Sequence, residues 1–456
     1  MEGRDQPERN LSERGERRTQ RRQALPPNLA RVNAAARAAA HTRFTALLHH
    51  VNVEALERAF RRQKRQASAG VDGITVTDYE QNLKSNLQGL CNRIHTGQYR
   101  PQPVRRVYIP KSDGGRRPLG VPSLEDKIVQ GAVAEVLSSI YEVDFIGFSY
   151  GFRPGRNPHQ ALSAWRTAIM SQHVNWVLDA DIRSFYDSID HEWLMRMVAH
   201  RIADPRVLRL IRMWLKAGIL ESGEWREADK GTPQGAGISP LLANIVLHYA
   251  LDLWVHQWRR RQARGRVSIV RYADDFVMGF EKSADAQQMM ADLKERLAQF
   301  SLTLHEDKTR LIEFGRLPAL TRRQRGERRP DTFAFLGFTH YCGWTREGKF
   351  IVKHKTQSRR VMRKLNAIRQ EARRIMHAPI AAQHRWYASV LRGHYGYYGL
   401  PHNWRAINSF LHEVRRIWFN CLRRRSQKSR RKGWDWFLAL ERCFPLPRPR
   451  VVLTWA

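Results

Sequence analysis

Asp274 and Asp275 stand side by side in Arg271-Tyr272-Ala273-Asp274-Asp275-Phe276, between the apolar, β-prone runs Val267-Ser268-Ile269-Val270 and Val277-Met278-Gly279-Phe280. This pattern predicts a β-hairpin whose turn presents both carboxylates. Adjacent carboxylates repel each other unless a cation sits between them. Hard divalent ions such as Mg²⁺ take oxygen ligands of this kind, together with substrate phosphates. A solvated Asp-Asp turn would read the same way, so chemistry here requires a third carboxylate and a nucleotide pocket from elsewhere in the chain. Trp176-Val177-Leu178-Asp179-Ala180-Asp181-Ile182 reads as a buried strand that ends in acids, and strands of this kind deliver a carboxylate to a site at their end. Asp179 and Asp181 are two residues apart and share one face. Asp187 and Asp190 have local duties as turn and helix-cap residues. Asp181 has none and is the candidate third ligand.

Cations and flexible backbone precede and follow these acids. Val104 to Lys111 and Arg116 to Val121 flank Ser112-Asp113-Gly114-Gly115, which predicts a hairpin with Lys111 and Arg117 on opposite arms near its turn. Such a hairpin can fold over a triphosphate, or simply expose solubilising charges. Gly231-Thr232-Pro233-Gln234-Gly235-Ala236-Gly237 precedes an apolar helix expected over 241–258. Flexible backbone there lets a ligand approach peptide groups, with Gln234 able to touch a base or sugar. No Gly-Lys-Ser/Thr follows, so this is not a Walker loop. Lys308 comes after the strand-like 302–304, residues 316–330 read as a basic loop, and 333–340 reads as one strand with Gly337 near its centre, where another backbone could pass closely.

The elements that must position these residues follow from composition. Of 456 residues, 42% are hydrophobic, enough to bury real cores, and 79 Lys and Arg against 43 Asp and Glu give a net charge of +36. That excess implies a polyanionic partner, and with no long apolar run the partner is nucleic acid rather than a membrane. The four cysteines lack any Cys-x-x-Cys pair, which fits a reducing cytosol without a zinc site or disulfide framework. The expected organisation is a disordered basic arm over 1–30, an N-terminal helical extension over 31–103, and a central region over 104–345. A basic aromatic helical region over 346–410 and a basic segment over 411–456 follow. From Lys355 to Ile375 apolar residues recur at spacings of three and four while Arg359, Arg360, Arg363 and Lys364 crowd the other faces. A second run contains Arg423, Arg424 and Arg425. Solvated charge is the ordinary reading of either run; two of them with interleaved Trp and Tyr favour nucleic acid.

Taken in order, these stretches resemble reverse transcriptases, and among them the group II intron-encoded reverse transcriptase/maturase family. The resemblance runs over about residues 65–435. Tyr272-Ala273-Asp274-Asp275 resembles the family's Tyr-x-Asp-Asp box, and 181–191 its first catalytic Asp motif. Gly231 to Gly235 with Ile238 to Ile245 resembles the Pro-Gln-Gly block, Ile109-Pro110-Lys111 with Arg117 to Pro122 the fingers hairpin, and His305 to Thr309 and Phe335-Leu336-Gly337-Phe338 the later palm blocks. The resemblance implies an α+β right-hand polymerase, with fingers and palm around an antiparallel sheet, followed by an α-helical thumb/maturase domain. It implies an RNA-directed DNA polymerase extending a primer on an RNA template by two-metal nucleotidyl transfer. Asp181, Asp274, Asp275 and the Ile182 carbonyl would hold two Mg²⁺ ions, with Mn²⁺ as a substitute. Lys111 and Arg117 would meet the triphosphate, Gln234 and Lys308 would border the nucleotide, and Tyr186 would be the sugar gate, where the family more often has Phe. Implied partners are dNTPs, a DNA primer or target and a group II intron RNA whose splicing and mobility the chain assists. A homodimer is compatible, and a cytoplasmic, ribonucleoprotein-associated location is expected. No His-Asn-His nuclease is expected after the thumb. The competing readings are a domesticated reverse transcriptase in defence or repair, and a splicing factor whose polymerase is dispensable.

Overall fold

The computed structural model describes residues 25–110, 115–221, 224–226, 230–232 and 235–453. Eleven strands occur among them: β1 (Val104–Pro110), β2 (Arg116–Val121), β3 (Trp176–Ala180), β4 (Ile219–Glu221), β5 (Glu224–Arg226), β6 (Val267–Tyr272), β7 (Asp275–Phe280), β8 (Arg310–Glu313), β9 (Phe333–Phe335), β10 (Phe338–Trp344) and β11 (Phe350–Thr356). They form three sheets, ordered β2-β1-β4-β5, β6-β7-β3-β8 and β11-β10-β9.

The middle sheet is antiparallel throughout. Its strands are nearly continuous apolar runs because both faces are covered. Leu178, Ile269, Phe276, Met278 and Phe280 enter a large core with the helices Leu124–Asp144, Ser239–Leu247 and Ser283–Ala298. Val177, Val270 and Val277 enter a second core with helix Pro158–Ser171 and the β9–β11 sheet. Side chains alternate across a strand, so the two cores label the sheet's faces.

The basic hairpin forms as expected, with Ile109 opposite Arg117. Ser123 caps helix Leu124–Asp144, its side chain accepting from the Asp126 amide. Elsewhere the structure departs from sequence pattern. The expected arm over 1–30 lies outside the described residues up to 24, but from Pro27 the chain is helical. Helix Pro27–Ala38 buries Leu29, Val32 and Ala36, spaced to make one apolar stripe, and proline suits its first turn. The expected helix over 241–258 is interrupted: Ser239–Leu247 passes through a π-turn, His248–Asp252, before Leu253–Arg261. The expected basic loop contains helix Arg316–Gln324, because Pro318 and Ala319 bury one side while the arginines stay outside. The expected strand over 333–340 is a hairpin. Phe335 pairs with Phe338, leaving Leu336-Gly337 as a two-residue loop with φ of +47° and +84°. Two positive φ values suit the right-handed twist of the flanking strands.

Helices Ser358–Arg374, Ile380–Tyr398, Trp404–Arg423 and Trp434–Cys443 surround a third core containing Leu365, Ile368, Tyr387, Leu391, Phe410, Val414 and Trp418. Helix Trp404–Arg423 runs through the boundary expected at 410/411, since Ile407, Phe410, Val414 and Ile417 form one buried stripe. Among the described residues, no helix is long and apolar enough to cross a membrane.

Candidate active site

Register brings the acids together. The β3–β7 ladder ends with Ala180 opposite Phe276, so Asp181, next in line, comes level with Asp275, which precedes Phe276. In the β6–β7 hairpin Tyr272 pairs with Asp275, which makes Ala273 and Asp274 the loop. Ala273 takes φ +58°, a left-handed conformation that costs a residue with a Cβ about 1 kcal/mol. By alternation Asp179, Asp181 and Asp275 lie on the face of Val177 and Val277.

Electrostatics report the same convergence. Asp275 keeps an open side to solvent, yet protein packed around its carboxyl pushes its pKa up to about 7. The charges of Asp274, Asp181 and Asp179 bear on it, and Arg360 opposes the rise. Burial likewise raises Asp179 to about 6 against the pull of Arg310, which lies across the β3–β8 ladder at 3.6 Å. Asp181 is paired with Lys308, Nζ to Oδ2 3.0 Å. Lys308 is held there by the turn at 305–309, whose His305 amide donates to the Asp181 carbonyl at 2.8 Å. Ile182 is bridged to Leu304; the ladder bonds are made by its neighbours, His305 to Asp181 and Arg183 to Thr303, so its own carbonyl faces away from that ladder. Among the described residues no three His, Cys, Asp or Glu side chains are gathered tightly enough to hold an ion as they stand.

The surroundings are built from backbone contacts. Tyr186 lies in the short helix Phe185–Ser188, entered through Ser184 at φ +46°, and its ring meets Phe185 edge-on at 5.5 Å. The Thr232 amide donates to the Tyr186 carbonyl at 2.8 Å, and the Gly231 amide to Ile189 at 2.8 Å. A Cβ on Gly231 would come within 3.0 Å of the Asp187 backbone, and one on Gly235 within 2.6 Å of the Gly120 carbonyl. Gly231 therefore lies against the Tyr186 turn and Gly235 against β2. Gln234 and Lys111 lie outside the described residues; Arg117 is placed by its backbone in β2. Of the basic residues expected to meet nucleic acid, Arg360 faces the acids. It acts on Asp275 and stands 3.1 Å from where a Gly337 Cβ would be. Arg359, Arg363, Lys364 and Arg424 are exposed, while Arg423 donates to the Arg430 carbonyl at 2.8 Å and Arg425 to that of His377 at 3.4 Å.

One participant was not singled out in sequence. Arg271 is fully buried and donates to Asp252, Asn244 and the Ala273 carbonyl. An arginine inside an apolar strand, and an aspartate inside an apolar helix, are the sequence signals that could have marked it.

An antiparallel sheet whose register brings Asp181 level with Asp275 at the β6–β7 hairpin is the arrangement of a polymerase palm. Residues 109–340 match the family described as reverse transcriptase (RNA-dependent DNA polymerase), and the chain belongs to that family. Several of the relatives it matches carry group II intron or intron maturase names. It is 36% identical over 273 residues to Protein YkfC of Escherichia coli (strain K12), covering 53% of this chain and 71% of that protein. It is 42% identical over 183 residues to Group II intron-encoded protein LtrA of Lactococcus lactis subsp. cremoris, covering 40% of this chain but 29% of LtrA. A shorter match, 30% over 95 residues, is to Nuclear intron maturase 1, mitochondrial, of Arabidopsis thaliana, covering 21% of this chain and 13% of that protein.

Proposed function

We propose that this chain is an RNA-directed DNA polymerase that extends a primer on an RNA template, and that it binds a group II intron RNA as a maturase. The observation that carries the reading is the β3–β7 register, which sets Asp181 level with Asp275 beside Asp274. Burial first, and the neighbouring acids second, raise Asp275, and a cation bound there would offset both. The donors are oxygen throughout, which suits a hard divalent ion, once Asp181 exchanges Lys308 for it. Asp181, Asp274, Asp275 and the Ile182 carbonyl would hold two such ions, Mg²⁺ first, whose chemistry there would be to lower the charge cost at the primer hydroxyl and the leaving pyrophosphate.

The chain's own residues do the rest. Lys308, Lys111 and Arg117 meet the negative triphosphate of a dNTP. Tyr186, fixed by Thr232 and Phe185, presents a ring against the sugar. Gln234, between pinned Thr232 and Gly235, borders the base. The helices from 358 onward form the thumb, and their exposed Arg359, Arg363, Lys364 and Arg424 supply a cationic surface for RNA. Arg360 joins that surface to the catalytic acids.

The test is Asp274→Ala combined with Asp275→Ala. Synthesis of cDNA on a primed RNA template with Mg²⁺ should vanish, while RNA affinity persists. Undiminished synthesis in the double variant refutes the assignment.

A further inference from the structure

We propose that Asn244 and Asp252, acting through Arg271, are positioning residues that set the Ala273-Asp274 turn, and that the π-turn His248–Asp252 is what brings Asp252 within reach. The proposal rests on the polymerase reading for its effect on rate.

Arg271 is 0% exposed. A guanidinium in an apolar core costs several kcal/mol unless it is paired and its donors are met. Here they are met by residues of one helix. Nε donates to Asp252 Oδ1 at 2.7 Å, Nη2 to Asp252 Oδ2, and Nη1 to Asn244 Oδ1 at 2.9 Å. Nη1 also donates to the Ala273 carbonyl at 2.9 Å. That carbonyl belongs to the strained residue of the turn, so the buried charge holds the unfavourable φ in place from beneath. Arg271 shares a face with Ile269. The acids occupy the opposite face, so the network supports the site without touching a ligand.

The turn is also held from the side. The Arg271 amide donates to the Phe148 carbonyl at 2.9 Å, and the Tyr150 amide to the Arg271 carbonyl at 2.8 Å. Gly151 lies directly against the Ala273 amide, and a Cβ there would come within 2.8 Å of the Tyr272 carbonyl carbon. Asn244 connects the two supports, because its Nδ2 donates to the Gly151 carbonyl at 2.8 Å while its Oδ1 receives Arg271.

Helix geometry explains the π-turn. Asn244 and Asp252 are eight residues apart, and an unbroken α-helix would leave them about 80° apart around its axis. The wider π-turn rewinds part of that offset and lets both reach one guanidinium. Single π-turns inside α-helices are often found where a helix must aim a side chain at a functional site. A purely stabilising role explains less, since a buried ion pair is a weak source of stability compared with apolar residues of the same volume.

The test uses the full chain with Asn244→Ala, which removes both bonds from inside the core, and Gly151→Ala, which pushes the turn from the loop without removing any side-chain partner of Arg271. Readouts are kcat, dNTP KM and primer–template affinity, melting temperature, and Mn²⁺ binding by electron paramagnetic resonance with the Asp274→Ala/Asp275→Ala chain as blank. Both variants should lose about 10–100-fold in kcat, the scale of a small misplacement at a reacting centre, with KM and primer–template affinity held. Mn²⁺ binding should weaken, and Asn244→Ser, which restores a donor and an acceptor, should recover part of both losses. Folded variants with wild-type kcat and Mn²⁺ binding overturn the proposal. So does a loss of kcat that only follows the folded fraction. If the wild type makes no cDNA, the polymerase reading falls, and Mn²⁺ binding alone decides whether the network positions the turn.

Discussion

Replacing Lys308 with Ala should strengthen divalent-ion binding while weakening nucleotide binding. Lys308 Nζ lies 3.0 Å from Asp181 Oδ2, with the two side chains 56% and 29% exposed. An ion pair this open contributes about 0.2–1 kcal/mol, because water and salt screen it and two side chains must be ordered. Stability should therefore change by no more than that amount. The same contribution is what an incoming cation has to displace at Asp181. Without the ammonium group, Mn²⁺ should bind about 1.4–5-fold more tightly, which is that range converted at tenfold per 1.4 kcal/mol. The dNTP should fare worse, since a positive charge beside its phosphates is gone, and KM should rise. The assay is an electron paramagnetic resonance titration of Mn²⁺ at low ionic strength, where screening is weakest, and at a pH above the Asp275 titration. Lys308→Arg keeps the charge and should keep wild-type affinity. Mn²⁺ binding that is unchanged or weaker in Lys308→Ala refutes the view that Lys308 occupies the place of the ion.

Two further outcomes follow from the site. Asp275 titrates at about 7 because of the packing around it and the neighbouring acids, so the folded chain holds that proton more tightly than the unfolded one. Metal-free stability is then full below the ordinary carboxylate range and is lost as pH rises through about 7. Mn²⁺ affinity should rise over the same window and level off above it. Calorimetry and Mn²⁺ titration at stepped pH check both, and Asp275→Asn should flatten the stability slope; an unaltered slope would count against Asp275 as its source. At the sugar position, Tyr186→Ala should lower discrimination against ribonucleotides by about tenfold or more, whereas Tyr186→Phe retains it. Single-nucleotide incorporation of dNTP against rNTP decides, and an unchanged ratio in Tyr186→Ala removes Tyr186 from the gate.

The acids were legible because each stands in a short contiguous signal. Short apolar, β-prone runs announced β6 and β7, and Asp181 stood out as an acid at a strand end with no local duty. The ladder that levels Asp181 with Asp275 pairs residues far apart in sequence, and no local pattern encodes that register. The role of Arg271 was passed over for a related reason. Its partners Asn244 and Asp252 lie on another element, and the π-turn that aligns them shifts the helix without disturbing its apolar composition. The β9–β10 hairpin was missed because Leu336, a residue with a Cβ, takes a positive φ at its loop, so Gly337 stands there without the Asn or Asp that usually precedes Gly in a two-residue hairpin loop. In the helix Arg316–Gln324, arginines on the outer side concealed the short buried side formed by Pro318 and Ala319.

The family match stops at residue 340, three residues into β10. The second core does not stop there. Phe338, Cys342 and Val352 share it with Leu400, and Tyr397, Tyr398 and Leu453 lie against it. His159, at the start of the helix Pro158–Ser171, is bonded to the Tyr397 carbonyl at 2.8 Å, and the Tyr397 hydroxyl donates to Leu336 at 2.9 Å. The stretch that carries the family's signature thus shares its core with residues beyond it. A fragment cut at its edge would divide a strand and uncover aromatic surface that only later residues close over. The matched stretch is shorter than the packed unit it belongs to, and exchanging it with that of a relative means carrying along the later residues that close this core, Leu400 and Leu453 among them.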